Sequence, residues 1–204
     1  MRSTRRGRMA VVAASIGLSL LAVPALAADT HERGTISAVD GSIVKVATRN
    51  GTTVSLDLAD GWKILGVEKA SMTDIKQGTF IGTATMPGAN DAMKAMEVVV
   101  FPDAMRGTGE GYYPWDLQPK SMMTNATVTH AVKEVDGQKV TLAYKGGEKT
   151  VTIGDRTPVV QIVPGDKADV KSGANVFIST PSVADGKLAK GAILIGKDGV
   201  TPPM

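Results

Sequence analysis

Residues 34–58 read GTISAVDGSIVKVATRNGTTVSLDL. Apolar and polar residues alternate through Gly34–Val39, again through Ser42–Ala47, and again through Thr52–Leu58, where Val54, Leu56 and Leu58 share one face. Alternation with period two marks a half-buried strand. Asp40-Gly41 and Asn50-Gly51 separate the three runs. Both dipeptides suit tight hairpins, whose central residues need the positive φ that glycine accepts without a steric penalty. The stretch therefore predicts a three-stranded meander.

Working outward, Asp60-Gly61 turns the chain into the short apolar piece Trp62–Leu65. Ser71–Gly78 (SMTDIKQG) predicts one helical or 3₁₀ turn, capped by Ser71 or Thr73 and ended by Gly78. Thr79–Ala84 and Met93–Phe101 complete a first unit, with a turn at Pro87–Asp91 between them. The pattern then recurs. Ala126-Thr127-Val128 stands where Gly34-Thr35-Ile36 stood, Asp136-Gly137 where Asp40-Gly41 stood, and Gly146-Gly147 where Asn50-Gly51 stood. Gly41 to Gly78 spans 37 residues and Gly137 to Gly173 spans 36, so several matched turns fall in near-constant register. Lys187–Ile195 predicts the last strand. The expected fold is all-β: two tandem, small, OB-like, partly closed β-barrel units at 28–100 and 126–196. A long ordered connector at 101–125 joins them, and 197–204 is expected as a loose tail. His31-Glu32-Arg33 reads as an exposed lead-in.

Residues 1–27 read as an export signal. Arg2, Arg5, Arg6 and Arg8 precede an apolar run, and Ala25-Leu26-Ala27 supplies the small-x-small cleavage pattern. The run is too short for the roughly 20 residues of a membrane-spanning helix. The expected location is the periplasm or the exterior, with no membrane span. Cleavage would leave Ala28–Met204, 177 residues with 19 basic and 20 acidic side chains, so the high isoelectric point belongs largely to the leader. Such a balance argues against a nucleic-acid partner. No cysteine is present to staple a small core, so the halves are expected to pack on each other or on a second copy.

The connector, FPDAMRGTGEGYYPWDLQPKSMMTN over 101–125, concentrates glycine, proline and aromatic residues. Long loops of this kind are functional or disordered, and its aromatic and methionine content argues for order. Tyr112, Tyr113 and Trp115 are candidate ligand-binding residues, with Arg106, Glu110 and Asp116 as candidate polar groups. The same residues equally suit a packing interface between the two units. Methionines are a second feature: Met86 with Met93 and Met96, or Met105 with Met122 and Met123, could converge as soft ligands for copper(I). They are also ordinary gap fillers in a core poor in aromatic residues. Two distant histidines and no cysteine argue against a zinc site. No hydrolase elbow, phosphate loop or zinc-protease motif stands in the sequence, so no catalytic residue and no cofactor is expected.

Gly34-Thr35-Ile36, Val39-Asp40-Gly41, Val44-x-Val46, Gly51-x-x-Val54-x-Leu56 and Asp74-Ile75-x-x-Gly78 together resemble a small β domain of unknown function found in exported bacterial proteins. Phe101–Gly111, Tyr113–Leu117 and Met122–Thr127 look like a signature of a proteobacterial periplasmic family in which that domain is duplicated. Some members carry names borrowed from metal-transport permeases. The resemblance covers nearly all of the chain after the leader and implies no particular chemistry. The expected function is an exported, non-catalytic envelope protein that binds a small molecule, a peptide or another envelope protein through the connector. The alternatives are a structural or assembly protein in which the connector only packs, and a periplasmic copper-binding protein.

Overall fold

The computed structural model describes residues 30–58, 61–88, 92–180 and 191–204. The expected leader, and the expected turn and strand residues at 89–91 and 187–190, lie outside them. The fold is all-β. The first half supplies β1 (Thr30–Asp40), β2 (Ile43–Thr48), β3 (Thr53–Asp57), β4 (Lys63–Lys69), β5 (Phe80–Pro87), β6 (Met93–Ala95) and β7 (Val98–Val100). β8 (Gly111–Pro114) lies in the connector. The second half supplies β9 (Met122–Glu134), β10 (Gly137–Tyr144), β11 (Gly147–Gly154), β12 (Val159–Pro164), β13 (Asn175–Thr180) and β14 (Ala192–Gly196).

Local signals act as their chemistry requires. β1 and β2 turn at Gly41 (φ +58°), and β2 and β3 turn near Gly51 (φ +85°). Ser71 caps a 3₁₀ turn at Met72–Asp74: its hydroxyl accepts from the Thr73 amide, and the Asp74 carboxylate accepts from the Ser71 amide. Asp166 and Asp169 build the same reciprocal cap around Lys167–Asp169.

Long-range pairing departs from two self-contained units in tandem. The first meander, β1–β2–β3, completes its sheet with β13 and β14 of the second half, through pairs such as Gly34↔Val176 and Phe177↔Leu194. The second meander, β9–β10–β11, completes its own with β5 and β6 of the first half. β5, β9, β10, β11 and β6 close on one another as a five-stranded barrel, with β6 and β11 the parallel pair. β4 runs antiparallel to β12, and each is flanked by a parallel neighbour, β14 and β7 respectively.

The physical reason lies in the strands that are apolar on both faces. Side chains alternate across a sheet, so Val98-Val99, Val176-Phe177-Ile178 and Ile193-Leu194-Ile195 must be covered on both sides. Val98 faces the closed barrel, whose core also holds Ile81, Ala126, Val128, Leu142 and Ile153. Val176, Ile178, Ile193 and Ile195 face a second core with Ile36, Val44, Val46 and Leu56. The intervening residues Val99, Phe177 and Leu194 meet Val67, Val160 and Ile162 in a third core, a seam between the two. A free-standing unit would leave that third face in water.

Three local expectations need correction. His31-Glu32-Arg33 is no lead-in but part of β1, paired with Ser179, Ile178 and Phe177. Residues 197–204 are packed rather than loose, with Val200 and Met204 buried in the seam. The connector carries its own strand, and its end from Met122 already belongs to β9, which β5 and β8 flank on either side. Among the described residues no helix is long and apolar enough to cross a membrane.

Candidate functional site

The seam is incompletely filled. A cavity of about 780 Å³ opens in it. Strand alternation decides its wall. In β9, Ala126 and Val128 fill the barrel while Met123 and Asn125, on the other face, line the cavity. In β5, Ile81 fills the barrel and Gly82 lines the cavity. A Cβ at Gly82 would come within 2.6 Å of Asn125 Oδ1 and 3.0 Å of Phe101 Cε2, so only glycine leaves that wall undisturbed. Leu65, Val99, Ile162 and Leu194 add an aliphatic floor, and Met105 and Met204 lie in the same wall.

An aromatic cluster forms the rim. The His31 ring lies 4.5 Å from Trp115 and 5.5 Å from Phe177, and Tyr113 meets Trp115 edge-on at 6.2 Å. The Arg33 guanidinium sits over Phe177 and Trp115, 5.2 and 5.8 Å from their ring centroids. It donates to both carboxylate oxygens of Asp116, at 2.7 and 3.2 Å, and its Nε donates to the Met204 carbonyl. His31 Nδ1 lies 3.3 Å from Asp116 Oδ2. Burial alone would push the Asp116 carboxyl up, but the hydrogen bond and charge of Arg33, helped by His31, outweigh it and hold the group below its ordinary value. His31 and Arg33 of β1 thus fasten the connector across the seam.

The candidate residues separate by strand face. Tyr113, Trp115 and Asp116 line the cavity. Tyr112, one residue along β8, points the other way and stacks on Tyr144, with Lys149 Nζ 4.5 Å from its centroid. Arg106 lies outside the wall and anchors the connector, donating to the Gly78 carbonyl at 2.9 Å and to Asp103 at 3.0 Å. Glu110 likewise accepts from the Lys145 amide at 2.8 Å. Met105 and Met123 reach the cavity together, whereas Met122 is not among its lining residues. Among the described residues no group of three or more His, Cys, Asp or Glu is placed to hold a metal ion.

His31, Arg33, Phe177, Asn125 and Glu97 were not singled out by the sequence. The i, i+2 spacing of His31 and Arg33 just ahead of a clear strand is the signal that places both on one face. Asn125 is buried: its Nδ2 donates to the Thr108 carbonyl at 3.1 Å and to the Tyr113 hydroxyl at 3.3 Å, and its Oδ1 has no hydrogen-bond partner. Trp115 Nε1 is also buried without a partner. Beside the site, Glu97 is almost fully buried, and burial pushes its carboxyl up to about 7 against the charges of Arg33 and Arg49 and a hydrogen bond from the Met204 backbone. Compared with family models, curated proteins and solved structures, the chain matches none.

Proposed function

We propose that the chain is an exported, non-catalytic binding protein of the cell envelope whose ligand occupies the seam cavity. The observation that carries this reading is the cavity itself: about 780 Å³, walled mainly by apolar side chains and rimmed by His31, Tyr113, Trp115 and Phe177. That volume and lining are those of small-molecule sites. Export, to the periplasm or beyond, is supported by the arginine-rich, apolar leader ending in Ala25-Leu26-Ala27. The non-catalytic reading is supported by the engagement of Asp116 with Arg33 and His31, which leaves that carboxylate poorly suited to proton transfer.

We also read the two halves as copies of one OB-like unit that exchange their last strands. Two pairs of matching interactions support this: β1 with β13 against β9 with β5, and β14 with β4 against β7 with β12. The twin capping boxes at Ser71 and Asp166 support it too. The barrel order β9–β10–β11–β6–β5, with the parallel pair between its third and fourth members, supports the OB-like comparison.

A second reading, a copper(I) site, draws on the thioethers of Met105, Met123 and Met204 and on His31, all in the same wall. One experiment weighs these readings: thermal unfolding of the purified protein with small molecules, cell-wall fragments, peptides, and copper(I) under reducing conditions. A ligand of the native state raises the melting temperature by mass action. A saturable rise that Trp115→Ala removes, in a variant that still unfolds cooperatively, supports binding and names the ligand class. No rise with any compound would make the connector a packing element of a structural or assembly protein.

A further inference from the structure

The cavity wall carries more than shape. Among the described residues that line it there is no lysine or arginine, and the Asp116 charge at the rim is met by Arg33 and His31. A charged ligand would shed its hydration there and find no counter-ion among them. Two polar atoms of wall residues, Trp115 Nε1 and Asn125 Oδ1, are nevertheless buried without partners. One donates and the other accepts. Buried polar groups in native proteins are almost always hydrogen-bonded, so such a pair beside an apolar cavity is a feature to explain. Gly82 leaves Asn125 Oδ1 uncrowded, since a Cβ there would stand 2.6 Å from that oxygen.

We infer that the cavity takes an uncharged, largely apolar small molecule with a hydroxyl head, which accepts from Trp115 Nε1 and donates to Asn125 Oδ1. This rests on the proposed binding role of the cavity and adds the chemical class of its ligand. A hydroxyl supplies both functions in one uncharged group, whereas an ether or carbonyl can only accept and a carboxylate brings a charge. Each hydrogen bond that relieves a buried unpaired group is worth about tenfold in affinity.

Four naphthalene probes of similar size separate the contributions: 2-naphthol, 2-methoxynaphthalene, naphthalene and 2-naphthoate. Titration calorimetry on the whole protein is expected to give affinities falling in that order, with about a hundredfold between naphthol, which makes both hydrogen bonds, and naphthalene, which makes neither. Trp115→Phe keeps a ring in the seam and removes the N–H. It is expected to lower the affinity for naphthol and for methoxynaphthalene while leaving naphthalene nearly unchanged, so that mere loss of packing is distinguished from loss of a hydrogen bond. Tightest binding of naphthoate would overturn the uncharged class while leaving the cavity a binding site. Equal affinities for naphthol and naphthalene, unaltered by Trp115→Phe, would overturn the hydrogen-bonding head. No binding of any probe, together with no ligand that raises the melting temperature, would overturn the binding site as well.

Discussion

The closed barrel and the seam are built from the same strands, yet they are filled differently. The barrel receives Ile81, Val98, Ala126, Val128, Val140, Leu142, Val151 and Ile153, small aliphatic residues that are all fully buried. The seam receives the opposite faces of several of those strands, together with Phe177, Trp115, Met105 and Met204, and a cavity remains there. Branched aliphatic side chains have few rotamers and interdigitate densely. In the seam, rings and thioethers from both halves and the connector meet without filling the space between them. The barrel thus carries stability, and the seam carries room.

Matched leucine truncations test this contrast and have the largest expected effect. Leu142 is wholly enclosed in the barrel and Leu194 borders the cavity. Leu142→Ala is expected to cost about 4 kcal/mol, near the upper end for buried leucines, because its neighbours cannot collapse into the void. Leu194→Ala is expected to cost about 2 kcal/mol, since one side of that residue already lacks packing partners. Urea unfolding of both variants measures the difference. Equal losses would mean the seam is packed as tightly as the barrel.

Next in size is a pH effect confined to the seam. With its ordinary value at 4.5 and its folded value at about 7, Glu97 holds a proton in the folded protein through a range where the unfolded chain has lost it. Its contribution is fully present below about pH 4.5, declines as pH rises, and is lost above about pH 7, a fall of about 3 kcal/mol. Glu97→Gln, which cannot ionise, is expected to flatten that decline. The variant's advantage in melting temperature should grow from about pH 4.5 to about pH 8. A parallel pH profile for both proteins would show that Glu97 does not titrate in this window.

How legible this was depends on the range of each interaction. Asp40-Gly41, Asn50-Gly51 and the Ser71 cap act within a few residues and could be read directly. The pairing of β1 with β13 and of β9 with β5 could not, because it rests on covering the back faces of strands far apart in sequence. The signal was present in unbroken apolar triplets such as Ile193-Leu194-Ile195, which mark strands buried on both faces. The connector announced Tyr113, Trp115 and Asp116 by composition. Their partners His31 and Arg33 lay hidden in a polar triplet that resembles an exposed terminus until Phe177 is set opposite it.

A smaller intervention fills the room without touching the barrel face. Gly82→Ala adds one methyl against Asn125 Oδ1 and Phe101, both side-chain atoms that can shift. Overpacking of this kind costs about 1–3 kcal/mol. If the cavity binds ligand, the variant is also expected to lose affinity for any compound that contacts Asn125. Calorimetry with 2-naphthol reads that loss, and denaturant unfolding reads the strain. An unchanged affinity would place the ligand away from the Gly82 wall.

The smallest expected effect concerns the fastening of the connector. Asp116 is half exposed, so its ion pairs with Arg33 and His31 contribute at most about 1 kcal/mol. Because Asp116 titrates below its ordinary value of 3.8, its contribution is present above about that pH and fades as pH falls through the folded value. Asp116→Asn is therefore expected to lower stability slightly near neutral pH and to converge with the parent protein in acid. The more informative readout is local. With the Arg33 clamp weakened, Trp115 should become more accessible to a neutral fluorescence quencher while the other tryptophan, Trp62, keeps its accessibility. The effect should appear with little change in the global unfolding midpoint, because the β8–β9 pairing and the Arg106 and Glu110 anchors still hold the rest of the connector. If quenching of Trp115 does not rise, the aromatic packing on His31 and Phe177 holds the segment by itself, and the seam is a rigid wall instead of a strap fastened by charge.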